Sequence, residues 1–329
     1  DRSQINIPIE HTCLDSMDIL SIRVDIEKHI GYVFPDSEWY EFKSLNDIIE
    51  YCNNSDLQID SSNDEIGKQS IQKNYEINLP QMANYALSEN WLFKELGNTH
   101  WELLCRGLEK KSSLITDNNN NRLYATFVRI KTQLTCLRKF KENQDINIEG
   151  EIFRYGKNNY NSKFNYNSDD YFIGANFMTT FSKRETEDNL ELIQCSPSVN
   201  KINIPELNEK PDFLIEYIQL KKSLAKSHEL SGVQFSVSQD NKFEINYKIN
   251  PYYDLNGVGL LYFAAYPVIS DYCESIYFNS LTEIGKWEDE YFTTARDIFY
   301  FANCNINDEI KYILNEYEYI SENRVKIRS

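Results

Sequence analysis

The chain has 329 residues, enough for two or three domains, and 41% of them are hydrophobic, enough to build packed cores. A formal charge of −17 argues against a surface for polyanions, so no nucleic-acid partner is expected. No run of about 18 apolar residues occurs, so no membrane partner is expected either. Seven cysteines stand singly at 13, 52, 105, 136, 195, 273 and 304. Without a Cys-x-x-Cys pair they read as free thiols of a reducing, cytoplasmic compartment, with neither a disulfide framework nor a metal site.

In chain order, the first informative stretch is Cys13-Leu-Asp-Ser-Met-Asp-Ile-Leu20. Ile19, Ile22, Ile26 and Ile30 recur at helical spacing behind it, and Gly31 closes the helix. Ser44-Leu-Asn-Asp47 then opens a second helix carrying Leu45, Ile48, Ile49 and Cys52. An Asp-Ser-Met triplet at a helix start, followed by these elements, resembles an acyl or peptidyl carrier domain over residues 9–54. Residues 1–56 hold 12 Asp/Glu against 4 Lys/Arg, the acidic balance of such domains. The resemblance implies a 4′-phosphopantetheine on Ser16, whose phosphate the unpaired N–H groups and dipole of the helix start favour. The structural alternative is a serine cap with Asp in the first turn. The family's first helix should precede this loop, and the chain starts without it or a Met. Residues 1–54 therefore read as a carrier domain lacking its first helix, in a segment of a longer polypeptide.

Residues 55–74 are polar, with no aromatic until Tyr75, and read as a linker. An extended run follows over Tyr75–Met82, interrupted by Pro80. Leu87–Leu104 reads as a long helix capped by Ser88 or Asn90, with Trp91, Leu92, Leu96, Leu103 and Leu104 on its apolar face. Alternation predicts strands at Arg122–Leu134, Ile146–Tyr155 and Tyr171–Ser182, while the Asn-rich stretches Asp117–Asn121 and Tyr160–Asn167 read as solvated loops. The order then recurs. Lys242–Asn250 reads as a strand, Asp254–Tyr266 as a second apolar helix, and Thr293–Ala302, Asp308–Tyr319 and Arg324–Ile327 as strands. A strand, a long helix and then antiparallel strands, twice over, predicts an α+β double hot-dog preceded by the partial helical carrier domain. The first hot-dog falls on 75–200. The second falls on 201–329, with its last strand or two expected to be missing.

Four segments carry a more specific resemblance. They are the run from Leu87 to Leu104, Arg122-Leu-Tyr-Ala-Thr-Phe127, the stretch from Asn250 to Ala264, and Arg296-Asp-Ile-Phe-Tyr-Phe301. In that order they resemble the double-hot-dog polyketide-biosynthesis proteins related to the leinamycin-pathway bifunctional acyltransferase/decarboxylase, over residues 75–329. The resemblance implies a malonyl- or methylmalonyl-coenzyme A substrate, loss of its carboxylate, and transfer of the shortened acyl group to a carrier protein in cis or in trans. Neighbouring polyketide synthase domains are implied as partners. A carrier fused ahead of such a catalyst would hold its thiol at about millimolar local concentration.

Decarboxylation builds enolate charge on the thioester oxygen, so the protein must aim fixed donors there. Helix starts suit that task, which nominates Ser88, Glu89 and Asn90 in one half and Asn256 and Gly257 in the other as substrate-binding residues. Tyr124 matches, by resemblance, the tyrosine given the central role. With an ordinary phenol pKa near 10 and no base nearby in sequence, it suits orienting the carboxylate better than accepting the acyl group. Thr126 falls on the same strand face and can assist it. On an alternating strand Tyr124 also reads as a packing aromatic. His100, mid-helix beside Trp101, reads as structural. Two rivals remain: a hot-dog acyl thioesterase using a carboxylate near the helix start, for which Glu89 is placed, and a carrier-docking module without chemistry. A dehydratase is disfavoured, because none of the four His has the context it needs.

Overall fold

The computed structural model describes residues 6–12, 14–54, 69–168, 170–199, 201–281 and 286–329. Three helices lead: α1 (Ser16–Ile30), α2 (Asp36–Trp39) and α3 (Leu45–Asn54). Asp15, not Ser16, caps α1: its carboxylate accepts from the N–H groups of Met17 and Asp18, both at 2.9 Å. Ser16 is therefore the first helical residue, and among the described residues its hydroxyl has no hydrogen-bond partner. Gly31, at φ 67°, ends the helix in the left-handed conformation that a side chain resists. The loop beyond is pinned by buried Arg23, which pairs with Glu27 at 2.8 Å and Asp36 at 2.7 Å and donates to the Phe34 carbonyl. Phe34, Trp39 and Ile48 form the core beneath these helices.

The next elements are β1 (Ser70–Glu76), a short hairpin of β2 (Met82–Ala83) and β3 (Ala86–Leu87), and the long helix α4 (Glu89–Gly107). Strands β4 (Leu123–Leu134), β5 (Asp145–Tyr155), β6 (Asn159–Asn167), β7 (Phe172–Arg184) and β8 (Leu192–Gln194) follow. They form one antiparallel sheet in the order β1-β5-β6-β7-β4, with β8 on β7. Leu92, Phe93, Leu96, Leu103 and Leu104 of α4 are buried against it. A sheet curled around one long helix is a hot-dog fold. Two expectations fail here. Residues 70–74, read as linker, are strand β1, while the rest of that stretch, 55–68, lies outside the described residues. Residues 160–167, read as a loop, are central strand β6. Tyr160, Ser162 and Phe164 point inward at spacing two, and the asparagines between them hid that pattern.

Helix α5 (Asp212–Lys221) and the hairpin β9 (Ser227–Leu230) with β10 (Val233–Ser236) were not foreseen. The signal for α5 is Pro211-Asp212 at its start, then Phe213, Leu214, Tyr217 and Ile218 on one face. The second half contributes β11 (Phe243–Lys248), α6 (Ala265–Leu281), α7 (Trp287–Glu290), β12 (Ala295–Phe299), β13 (Glu309–Leu314), β14 (Glu316–Ser321) and β15 (Arg324–Arg328). Pairs β11-β13 and β14-β15 cover α6, whose Ile269, Cys273 and Phe278 are buried with Tyr312 and Leu314. Strand β12 instead joins the first sheet, antiparallel to β4, with Ala295 opposite Gln133 and Phe299 opposite Arg129.

The helix expected over Asp254–Tyr266 starts only at Ala265. Asp254 accepts from the Asn250 N–H, and Asn256 accepts from those of Val258 and Leu260, so short polar side chains take the bonds that a helix needs. Asn256 and Gly257 are thus turn residues, not a helix start.

The two halves meet where Phe263 crosses α4. A methyl group on Gly97 would lie 2.3 Å from the Phe263 ring, which is itself wedged against Phe127 at a centroid distance of 4.0 Å. Gly97→Ala gains about 1 kcal/mol of helix propensity but overpacks this contact by about 1–3 kcal/mol. A net loss is expected in urea unfolding, with Gly97→Ala/Phe263→Leu recovering it. A stabilised Gly97→Ala single variant would contradict the contact.

Candidate active site at the start of helix α4

The turn before α4 is built by the chain itself. The Ser88 N–H donates to the Gln81 carbonyl at 2.8 Å, closing the β2-β3 hairpin, in which Asn84 and Tyr85 both adopt positive φ. The Ser88 hydroxyl accepts from the Trp91 N–H at 3.2 Å, and its carbonyl accepts from Leu92 at 2.9 Å. This leaves the N–H groups of Glu89 and Asn90 without a partner inside the helix, at its positive end.

Three segments of the second half converge on that turn. The Asn90 side-chain amide donates to the Ala264 carbonyl at 2.7 Å, and the Tyr300 hydroxyl donates to that of Phe263 at 3.0 Å. Arg296 of β12 grips Glu89 through Nε and Nη2, both at 3.0 Å. Its Nη2 also reaches Asp271 of α6 at 2.8 Å and Thr293 at 2.9 Å. Glu274, one turn beyond Asp271, accepts from Ser270 at 2.8 Å. Burial and the Asp271 charge push the Glu274 carboxyl up to about 7, with Arg296 opposing. Burial likewise raises Glu89, again against the pull of Arg296. A guanidinium bridging the Glu89 and Asp271 carboxylates, with Glu274 nearby, thus lies at the helix start that carries the unpaired Glu89 and Asn90 N–H groups. That arrangement can hold an acyl carbonyl and move a proton.

The residues nominated from sequence do not all meet here. Ser88, Glu89 and Asn90 do. Tyr124 and Thr126 do not: they pair with Ser182 and Thr180, on the sheet face opposite α4 that also carries Met178. Arg296 pairs with Thr132, so Tyr124 lies eight positions away along β4, roughly 25 Å. The Tyr124 ring is covered by the Arg122 guanidinium at 5.1 Å, and the Thr126 hydroxyl donates to the Thr180 carbonyl at 3.0 Å. Asn256 and Gly257 lie toward that far end, where Arg184 donates to the Val258 carbonyl at 3.1 Å. Sequence reasoning missed Arg296, Asp271 and Glu274. Arg296 opened a quoted motif, but nothing local marks the partner of a charge that ion-pairs across 207 positions.

His100 is closed to substrate. It is fully buried between Ser162 at 2.7 Å and Thr179 at 2.8 Å, and burial pushes its pKa down to about 3. The described residues include no group of three or more His, Cys, Asp or Glu able to hold a metal, and no helix long and apolar enough to cross a membrane.

No family model matches the chain, and no curated protein matches it. Among solved structures, a protein described as an oleoyl thioesterase from Lactobacillus plantarum superposes with a TM-score of 0.53 at 9% identity, covering 78% of this chain and 88% of its own. An acyl-ACP thioesterase from Bacteroides thetaiotaomicron (TM-score 0.48, 13% identity) and the 12:0-ACP thioesterase from Umbellularia californica (0.47, 9%) each cover 79% of this chain and 92% of theirs. Only the first of these likenesses exceeds a TM-score of 0.5, and at 9% identity it supports the hot-dog fold alone.

Two outcomes follow. Arg296→Met leaves the Glu89 and Asp271 carboxylates without the cation they share. The loss at pH 7 is expected at about 2–3 kcal/mol, below the 3–5 of a fully buried pair because Asp271 is half exposed. Glu89 and Glu274, whose carboxyls burial already raises, lose the opposing pull of Arg296, so stability returns as pH falls from 7 to 5, read as Tm against pH. For His100 the sign is opposite. Its folded pKa lies below 6.5, so the unfolded chain binds the proton and stability is lost as pH falls from 6.5 toward 3. His100→Gln lacks this loss, so its Tm deficit relative to the parent should narrow between pH 7 and 4.

Proposed function

We propose that the chain is an enzyme of acyl thioesters, cleaving an acyl group from coenzyme A or a carrier protein at the start of α4. The carrying observation is the capped turn that aims the free N–H groups of Glu89 and Asn90 beside the Glu89–Arg296 pair. In this reading the acyl carbonyl accepts from those N–H groups, which stabilise the oxyanion as it forms. A water held by Glu89 attacks the acyl carbon. Its proton passes to the carboxylate, the carbon–sulfur bond breaks, and the departing thiolate takes up a proton. Arg296 positions the carboxylate and opposes the rise in its pKa that burial causes. The acyl-ACP and oleoyl thioesterase names of the structural neighbours agree with hydrolysis as the outcome.

A second reading is decarboxylating transfer to a phosphopantetheine on Ser16, with polyketide synthase domains as partners. One observation favours it: helix α1, which begins at Ser16, packs through Met17 on the hot-dog body, against the sheet face that also carries Tyr124. Residues 1–54 then form the carrier, and the two hot-dog halves the catalyst.

Intact-protein mass spectrometry separates these readings. The chain is loaded with phosphopantetheine at Ser16 and incubated with oleoyl-, malonyl- or methylmalonyl-coenzyme A. Free acid with an empty arm supports hydrolysis, and acetyl or propionyl mass on Ser16 supports decarboxylating transfer. A retained carboxylated mass removes decarboxylation, and no turnover of any thioester leaves only a docking module. Glu89→Gln is expected to slow turnover by about 100-fold or more. Tyr124→Phe should affect only the transfer route.

A further inference from the structure

Helix α1 lies antiparallel to α5, and the contact between them is ionic along its length. Asp15 pairs with Lys221 at 2.7 Å, Asp18 with Lys222 at 2.6 Å, and Asp25 with Lys210 at 2.6 Å. Lys210 also donates to Ser21, and Lys28, farther along α1, reaches Glu206 at 3.1 Å and the Leu207 carbonyl at 2.8 Å. The apolar part is small. Met17 and Val24 sit against Val128, Tyr155, Met178, Leu214 and Tyr217. Gly156, at φ 66°, lets Val24 approach so closely that a methyl group there would meet it at 2.3 Å.

The sheet face under this contact mixes apolar side chains with unpaired polar ones. Met178 shares it with Asn161, its cross-strand partner, and with Thr180 and Asn159. All three polar residues are buried, and both side-chain polar atoms of Asn159, the Asn161 carbonyl oxygen and the Thr180 hydroxyl have no hydrogen-bond partner among the described residues. Buried polar groups in a permanent core are paired, and leaving them unpaired opposes burial. A shape-matched, charge-matched contact over an unsatisfied polar floor suits an association that opens and closes.

We propose that α5 with Lys210, Lys221 and Lys222 is a docking surface on the hot-dog body for the acidic helix α1 of the same chain, occupied reversibly. Docking covers Met17 and Asp18, the two residues that follow Ser16, and release exposes them. The inference rests on the carrier reading only for its purpose. The docking itself is tested without any acyl chemistry.

Hydrogen–deuterium exchange of the full chain reads it directly. At low ionic strength the α1 amides should be protected. In about 1 M NaCl, where the screening length falls to about 3 Å, their exchange should rise several-fold while α4 and β4 stay unchanged. Lys210→Glu/Lys221→Glu/Lys222→Glu should raise α1 exchange about tenfold at low salt, as three partly exposed pairs turned repulsive predict. Lys210→Glu with Asp25→Lys restores one pair inverted and should recover part of the protection lost by Lys210→Glu alone. Exchange in α1 that ignores both salt and charge reversal overturns the proposal, as does a rise spread equally over β4 and α4, which marks global unfolding. An unmodifiable Ser16 would sink the carrier reading and leave the docking result standing.

Discussion

The candidate site depends on strand β12 leaving its own half to pair with β4. In the strand register, Asp297 is fixed to β4 by Arg129, a fully buried guanidinium donating to both oxygens of that carboxylate at 3.0 and 2.7 Å. Arg129 lies between the rings of Phe213 and Phe299, at 4.1 and 4.5 Å, and donates to Glu216 of α5 at 2.6 Å. Burial raises the Asp297 carboxyl, but Arg129 and His228, at 2.9 Å, more than offset it and hold it below its ordinary range. A buried guanidinium is tolerated in a dry setting because it donates to the carboxylates of Asp297 and Glu216 and to the Phe213 carbonyl. Alternation then puts Arg296, the preceding residue, on the opposite face of β12, where Glu89 waits.

The same pairing explains why the two halves behave as one body. Phe263 and Tyr300 belong to the second half by sequence, yet they are buried with Leu92, Phe93 and Phe177 of the first. Gly97 admits the ring, the Asn90 amide fixes the backbone behind it, and the Tyr300 hydroxyl holds the carbonyl alongside. Preorganisation of the α4 start therefore comes from groups more than 170 positions away.

Much of the fold was legible because its longest elements have strong periodicity. Leu92, Leu96, Leu103 and Leu104 define α4, β4 and β5 alternate over most of their length, and β7 alternates over its first half. The misreadings share a cause: polar side chains doing backbone work. Asn256 and Asp254 tie their own turn and stop a helix that apolar spacing alone suggests. Asn159 and Asn161 face away from α4 while Tyr160 and Ser162 face it, so an asparagine-rich strand looks like a loop. For the site, cap chemistry marked Ser88, Glu89 and Asn90 locally. Arg296, Asp271 and Glu274 come from elements that meet only in three dimensions. Tyr124 came from resemblance, and the fold sets it on the far face of the sheet, at the other end of its strand.

Until β12 arrives, β4 is a bare edge. Arg129 finds Asp297 only 168 residues later in the chain, so a ribosome must deliver about half the polypeptide between the two before that edge is sealed. Meanwhile Arg129 and Lys131 place like charges on a strand that would otherwise invite another chain to pair with it, a protection common at exposed edges. The guanidinium that ends as the most enclosed cation of the seam thus begins as a deterrent to aggregation.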